Sequence, residues 1–307
     1  MLSVVLPTIR VGGLDLVCQS LAAQTYTDFE LILADGIKRY RAPHVTDRLS
    51  AQPFPVKHLD SGGLALSNYC RSINDAVVAA DGDTILVVPD FAWFPPDAIE
   101  LHARFHDEHR GERKCLMSGY QYLGLPKLHP SFTGYCPTLP FNLHDPDAQF
   151  EAAMTAEADR YELDLELGEL NDVMWSLFAE PIDTETIDAL PVEHTHSLFD
   201  VEWSHLFCSL KNESYDIEAF IETNGLDEDL DGSHLFQDLD WSERLKAAGW
   251  EWERLQGGEL KIPNPRSKLT CKRALRPMRT NQTIAEQKLA GAPVNPGWSL
   301  RERRRQR

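Results

Sequence analysis

Residues 72–97 read SINDAVVAADGDTILVVPDFAWFPPD. Their first part belongs to a helix-like stretch, NYCRSINDAVVAA at 68–80, which Asp81-Gly82 stops. Residues 84–88, TILVV, follow as a short apolar strand. That strand ends at one carboxylate, Asp90, set among Pro89, Phe91, Ala92, Trp93 and Phe94. A buried strand that stops on a lone acid wrapped in aromatics asks what the acid is for.

Upstream the same alternation recurs. Residues 2–6, LSVVL, read as a buried strand stopped by Pro7. Residues 13–23, GLDLVCQSLAA, place Leu14, Val17, Cys18 and Leu21 at helical spacing. Residues 29–34, FELILA, form a second strand ending at Asp35-Gly36. Strands alternating with helices predict an α/β domain with a mainly parallel sheet and helices on both faces. In such sheets ligands bind outside the carboxyl ends of the strands. Thr8 and Arg10, Asp35, and Asp90 all fall there. One acid at a strand end means little, because loops are wet. Several at successive ends, without a GxGxxG or GxxxxGK[ST] loop, point away from the common dinucleotide and P-loop folds.

Composition bounds the rest. The 307 residues carry a net charge of -18, with 42% hydrophobic and 25% charged residues. The charge is divided: residues 261–307 hold 13 Lys and Arg against Glu286 and Glu302, leaving -29 for residues 1–260. Such an acidic body repels nucleic acid and anionic lipid over most of its surface. RERRRQR at 301–307 reads by default as a solvated tail. No apolar run approaches the ~20 residues of a membrane span, and MLSVVLPTIR lacks the features of a signal peptide. Six scattered cysteines without a CxxC pair fit reduced thiols, so a cytoplasmic location is expected.

Residues 145–170 are acidic and partly helical, an insertion or acceptor-side element, and residues 198–222 hold room for a strand and a helix. Residues 224–250, NGLDEDLDGSHLFQDLDWSERLKAAGW, lead from an acidic turn into a helix. Its expected apolar positions are Leu239, Leu245 and Ala248, closed by Gly249. Asp238 stands near its N-terminus, where the helix dipole favours a carboxylate.

Together these segments resemble a family 2 glycosyltransferase of the GT-A fold. SVVLPTI followed by QSLAAQTYTDFELILADG is similar to the family's opening strand, its SLxxQTxxxxE helix and its second strand. SINDAVVAADGDTILVVPDFAWFPPD tracks ARNxGIxxAxGxYIxFLDxDDxxxPD without a gap. NGLDE and QDLDWSERLKAAG follow GGFDE and EDxDLxxRLxxAG. The motif-bearing segments cover a little under half the chain, and their order and spacing carry the match.

The resemblance implies an inverting transfer from a nucleotide-sugar donor, most commonly a UDP-sugar, to an acceptor hydroxyl of unspecified identity. Such a reaction needs a nucleoside grip, a partner for the leaving diphosphate and a general base. Carried over, Pro7, Thr8, Ile9 and Asp35 would hold the nucleoside. Asp90 would lie beside ribose and diphosphate, and Arg71 is a candidate phosphate contact. Asp238 would be the base, with Gln237 replacing the family's usual Glu. Asp227, Glu228 and Trp241 are weaker candidates for the acceptor or sugar side. The plain alternatives are turn acids and core packing, the latter for Trp203, Trp250 and Trp252 as well.

The resemblance also implies Mn²⁺ or Mg²⁺, bound through the last acid of the DxD signature. Here that position is Phe91, and only Asp90 remains as a metal ligand, because hard cations want oxygen. The family's metal-binding His has no counterpart in 251–265. Either Asp90 binds the metal alone, or basic residues of 261–279 replace it, or the site only binds. His194, His196 and His205 read as polar residues near the acceptor cleft rather than as a metal site. The expected organisation is a donor half at 1–115, an acceptor half with the base at 116–260, and a basic arm at 261–307. That arm would cover the donor or meet a partner subunit as a homodimer. Two other readings remain, a non-catalytic sugar-nucleotide binder and a nucleotidyltransferase. No glycine-rich, lysine-bearing loop after strand one supports the latter.

Overall fold

The computed structural model describes residues 1–8, 14–36, 38–40, 43–61, 68–90, 92–123, 184–196, 210–231, 236–255, 257–263, 283–288 and 290–307. The expected 145–170 element lies outside them, as do Ile9, Arg10, Phe91, Trp203, His205 and residues 264–282.

Seven strands form the main sheet. They are β1 (Leu2–Thr8), β2 (Phe29–Asp35), β3 (Val56–Asp60), β4 (Thr84–Val87), β5 (Lys114–Met117), β8 (Glu213–Asp216) and β9 (Glu251–Arg254). Their spatial order is β3-β2-β1-β4-β8-β5-β9, all parallel except β8. A smaller sheet orders β10 (Leu260–Pro263), β6 (Tyr120–Leu123) and β7 (Val192–His196). The strand that opens the proposed basic arm therefore belongs to the body.

β1 and β2 are buried at every residue, which explains their unbroken apolar runs: helices cover both faces. The helices are α1 (Leu14–Ala22), α2 (Pro43–Ser50), α3 (Tyr69–Ala79), α4 (Ala98–Glu108), α5 (Thr184–Asp188), α6 (Ile217–Thr223), α7 (Gln237–Ala247), α8 (283–288) and α9 (Leu300–Gln306). One apolar cluster joins one face of the sheet to α1, α2 and α4, and a second joins the other face to α3, α6, α7 and α9.

Pro7 does not stop β1. The strand runs to Thr8, with Pro7 opposite Ala34 of β2. In a parallel ladder alternate residues bond to alternate neighbours. Thr8 carbonyl faces β2, accepting from Gly36 N–H, and Val5 carbonyl faces β4, accepting from Val88 N–H. Pro7 thus turns its missing N–H toward β4, where the pairing has already ended at Val5–Val87.

The buried face of α7 also differs from expectation. Trp241, Leu245 and Asp240 are buried, whereas Leu239 and Ala248 are only partly so. Asp240 tolerates the interior because Arg244, one turn on, donates to Oδ2 from Nε at 2.9 Å and from Nη2 at 2.7 Å. Arg244 Nη1 then reaches the carbonyls of Thr223 and Gly225, fastening the turn before the helix.

The C-terminal residues are no solvated tail. In α9, Arg304 donates to the carbonyls of Val77 and Ala80 at the end of α3, and Arg307 donates to Ala80 and Asp81. Arg303 lies over the Trp298 ring at 4.6 Å and 3.3 Å from Asp75. Lys288 meets Asp227 and Asp229 at 3.0 and 2.7 Å. The basic segment 283–307 is bound to acids of its own body. Its described part docks on α3, α6 and the 224–231 turn.

Candidate active site

The C-terminal ends of the parallel strands form one edge. Thr8 and Asp35 stand opposite each other at the ends of β1 and β2. Asp90 follows β4, and Thr8 Oγ1 donates to its Oδ2 at 3.1 Å. Three of the sequence-derived donor residues are thus brought together. Asp35 is fully buried, and its Oδ2 lies 2.7 Å from His58 Nε2. His58 comes from β3, whose polar sequence VKHLD gave no strand signal.

Asp238 reaches the same edge by topology. α7 connects to β9, and β9 enters the sheet from the opposite edge, opposite Lys114 at the start of β5. The helix therefore begins at the ligand edge, with Asp238 in its first turn. Burial pushes the Asp238 carboxyl up from the ordinary aspartate range. The Leu239 N–H, 2.9 Å from Oδ1, and the charge of Lys211 pull it down. A carboxyl raised in this way holds a proton more readily than an ordinary aspartate. Gln237 is buried, and its Nε2 approaches the Leu230 carbonyl at 3.4 Å.

Structural links join Asp238 to Asp90. Trp93, three residues after Asp90, pairs with Lys261 of β10, and β10 pairs with β6 at Leu260–Tyr120. Lys211 Nζ stands 5.5 Å from the Tyr120 ring centroid, and its charge acts on Asp238.

The acceptor-side candidates are placed elsewhere. Trp241 is fully buried against Tyr215 and Phe220, with Nε1 donating to Thr223 Oγ1 at 2.9 Å, so its ring is core and not a sugar platform. Asp227 is 1% exposed, caps a 3-10 turn at 228–230 and pairs with Lys288. Glu228 accepts from Asn74 Nδ2 at 3.1 Å and faces Arg303. These two acids hold the 224–231 segment on the flank of α3. Arg71, at the N-terminal turn of α3, is half exposed and 3.6 Å from Asp75.

Sequence reading missed the residue that shapes this flank. Asn74 exchanges two hydrogen bonds with the Leu226 backbone, at 2.8 and 2.9 Å. Asp231 then accepts from the N–H groups of Cys70 and Arg71 at 2.8 and 3.1 Å, capping α3 from a distant segment. Burial pushes its carboxyl up to about 7, against those two N–H groups.

Among the described residues, no three His, Cys, Asp or Glu gather as a metal-ligand cluster. His194 and His196 lie on β7, opposite Tyr122 and Tyr120. Asp90, at the position that the sequence resemblance assigns to a cation, accepts from Thr8 Oγ1. Lys261, the described cation of 261–279, binds Asp188. No described helix is long and apolar enough to cross a membrane.

No protein-family profile matches the chain, and no curated protein sequence does. Solved structures do. S. aureus TarS 1–349 is 13% identical, with a TM-score of 0.52 over 98% of this chain and 68% of that one. The same fragment in complex with UDP gives 12% and 0.52, and in complex with UDP-GlcNAc 12% and 0.50. Against another S. aureus TarS structure, this chain covers 41% of that chain. At such identity the likeness shows the fold, a mixed α/β architecture of GT-A type.

Proposed function

We propose that the protein is a nucleotide-sugar glycosyltransferase that inverts the anomeric centre, with Asp238 as general base. The observation that carries this reading is the convergence of Thr8, Asp35, Asp90 and Asp238 on one sheet edge. The neighbours solved with UDP and UDP-GlcNAc support a UDP-sugar as donor. Asp35 and Thr8 hold the nucleoside, and Asp90 lies beside the ribose and diphosphate. Asp238 takes the proton of an acceptor hydroxyl as that oxygen attacks the anomeric carbon and the nucleotide diphosphate leaves.

The charge of the leaving diphosphate is met in one of two ways. In the first, Asp90 would hold Mn²⁺ or Mg²⁺, which would supply positive charge for the leaving group, since Mg²⁺ takes few protein ligands. Otherwise side-chain cations do so directly.

The test is UDP release from UDP-GlcNAc and related donors, with Mn²⁺ and with EDTA, by the wild type and Asp238→Asn. Release that Asp238→Asn abolishes while UDP still binds supports the reading. Pyrophosphate release from a nucleoside triphosphate would replace it with nucleotidyl transfer. Binding without turnover for any donor would leave a sugar-nucleotide binder.

A further inference from the structure

His58 leans out of its own rung toward the ligand edge. Its backbone pairs with Leu33 of β2, yet its Nε2 lies 2.7 Å from Oδ2 of Asp35, two residues further along β2. The ring is thus tilted toward the carboxyl ends of the strands. Side chains alternate across a strand, so His58 shares a face with Val56, Asp35 with Leu33, and Thr8 with Leu6. Those apolar residues all pack in the cluster that joins the sheet to α1, α2 and α4. Thr8 stands opposite Asp35 and donates to Asp90. His58, Asp35, Thr8 and Asp90 therefore line one face of the edge as two hydrogen-bonded pairs.

Only one nitrogen of the ring is used by this pairing. A carboxylate accepts and cannot donate, so Nε2 carries the hydrogen, and Nδ1 of the neutral ring is left as an acceptor. The side chain is 8% exposed, and Nδ1 is buried with no hydrogen-bond partner among the described residues. Ser61 follows β3, and its N–H donates to the Asp35 carbonyl at 3.2 Å. It is 1% exposed, and its Oγ likewise has no partner among the described residues. Buried polar atoms are nearly always paired. At the edge that gathers Asp35 and Thr8, an orphaned ring nitrogen fits a bond made to a bound ligand.

We propose that His58 is a ligand contact that selects the nucleoside: Nε2–H fixes the Asp35 carboxylate, and Nδ1 accepts from a nucleoside donor, a base N–H or a ribose hydroxyl. This rests on the donor site proposed above and extends it to a residue of an edge strand. A nucleotide without the matching donor leaves Nδ1 buried and unpaired, and a site built to hydrogen-bond its ligand disfavours such an analogue.

Calorimetry on the wild type, His58→Gln and His58→Phe tests this with four nucleotides. They are UDP, CDP, which lacks the base N–H, and 2′-deoxy-UDP and 3′-deoxy-UDP, which each lack one ribose hydroxyl. The amide nitrogen of Gln reaches the position of Nε2, so His58→Gln keeps a donor for Asp35 and removes Nδ1. UDP binding should weaken about tenfold in that variant. The gap between UDP and one of the three other nucleotides should narrow there, while the other two gaps stand; that nucleotide names the donor. A purely structural loss would weaken all four alike. His58→Phe also releases Asp35 and should bind UDP more weakly still; binding equal to that of His58→Gln would overturn the hold on Asp35. Three unchanged gaps in His58→Gln, with UDP bound by the wild type, would overturn the contact alone. Failure of the wild type to bind UDP would overturn the donor site on which it rests.

Discussion

Thr8 Oγ1 donates to Asp90 Oδ2 at 3.1 Å, joining the ends of two strands whose residues stand 82 apart in sequence. β1 and β4 are parallel neighbours, so the sheet alone sets these ends side by side. Thr8→Val keeps the shape and loses the bond. Calorimetry should show UDP binding weakened about tenfold, the equivalent of ~1.4 kcal/mol, with the melting temperature little changed. Unaltered affinity would remove Thr8 from the site.

Gly225 is needed where the 224–231 turn crosses α3. Its φ is +71°, and a Cβ there would stand 2.3 Å from Asn74 Oδ1. Gly225→Ala should therefore cost at least ~1 kcal/mol, through both backbone strain and the displaced Asn74. Urea denaturation reads this directly. An unchanged midpoint would mean that the Asn74 bonds to Leu226 do not hold the turn.

Lys288 and Asp227 form an ion pair 7% and 0% exposed at their side chains. Removing one partner strands a buried charge. Lys288→Met should lose roughly 3 kcal/mol, and pairing it with Asp227→Asn should recover part of that loss. A double-mutant cycle without coupling would show that segment 283–307 does not steady the turn that leads to Asp238.

Behind the sheet, Asn212 Oδ1 can only accept, so His102 Nε2 carries hydrogen and its Nδ1 accepts from Ser214 Oγ at 2.8 Å. Ser214 Oγ in turn accepts from His106 Nε2 at 2.9 Å. Burial lowers His102 from 6.5 to about 3 and His106 from 6.5 to about 4. Below pH 6.5 the unfolded chain binds protons that the folded protein refuses. Stability should fall as pH drops from 6.5 toward 4, by up to ~1.4 kcal/mol per pH unit for each histidine. Above pH 6.5 the two contribute no slope. His106→Gln should lessen the acid slope of the melting temperature; the same slope in that variant would contradict the assignment.

The edge that gathers Thr8, Asp35 and Asp90 was legible in the sequence because a parallel sheet converts apolar runs into strands and gathers their ends. Thr8, Asp35 and Asp90 needed only that rule. β3 was not legible, because an edge strand such as VKHLD is half wet and carries no apolar run. β9, reading EWER at the other edge, failed for the same reason. Trp241 and Asp240 replaced Leu239 on the buried face of α7 because Arg244 neutralises a carboxylate in the core. The Asp-to-Arg spacing of four residues was the signal for that pair. The basic C-terminus misled as a solvated tail because its partners, Asp75, Asp81, Asp227 and Asp229, lie far away in sequence.

The most direct measurement is calorimetric titration of UDP-GlcNAc into the wild type and Asp90→Asn, with Mn²⁺ and with EDTA. Saturable binding by the wild type is expected, weakened at least about tenfold in Asp90→Asn. Binding that survives EDTA would place side-chain cations at the diphosphate; binding that needs Mn²⁺ would make Asp90 the metal ligand. No binding of any nucleotide sugar, or equal binding by Asp90→Asn, would contradict the site proposed here.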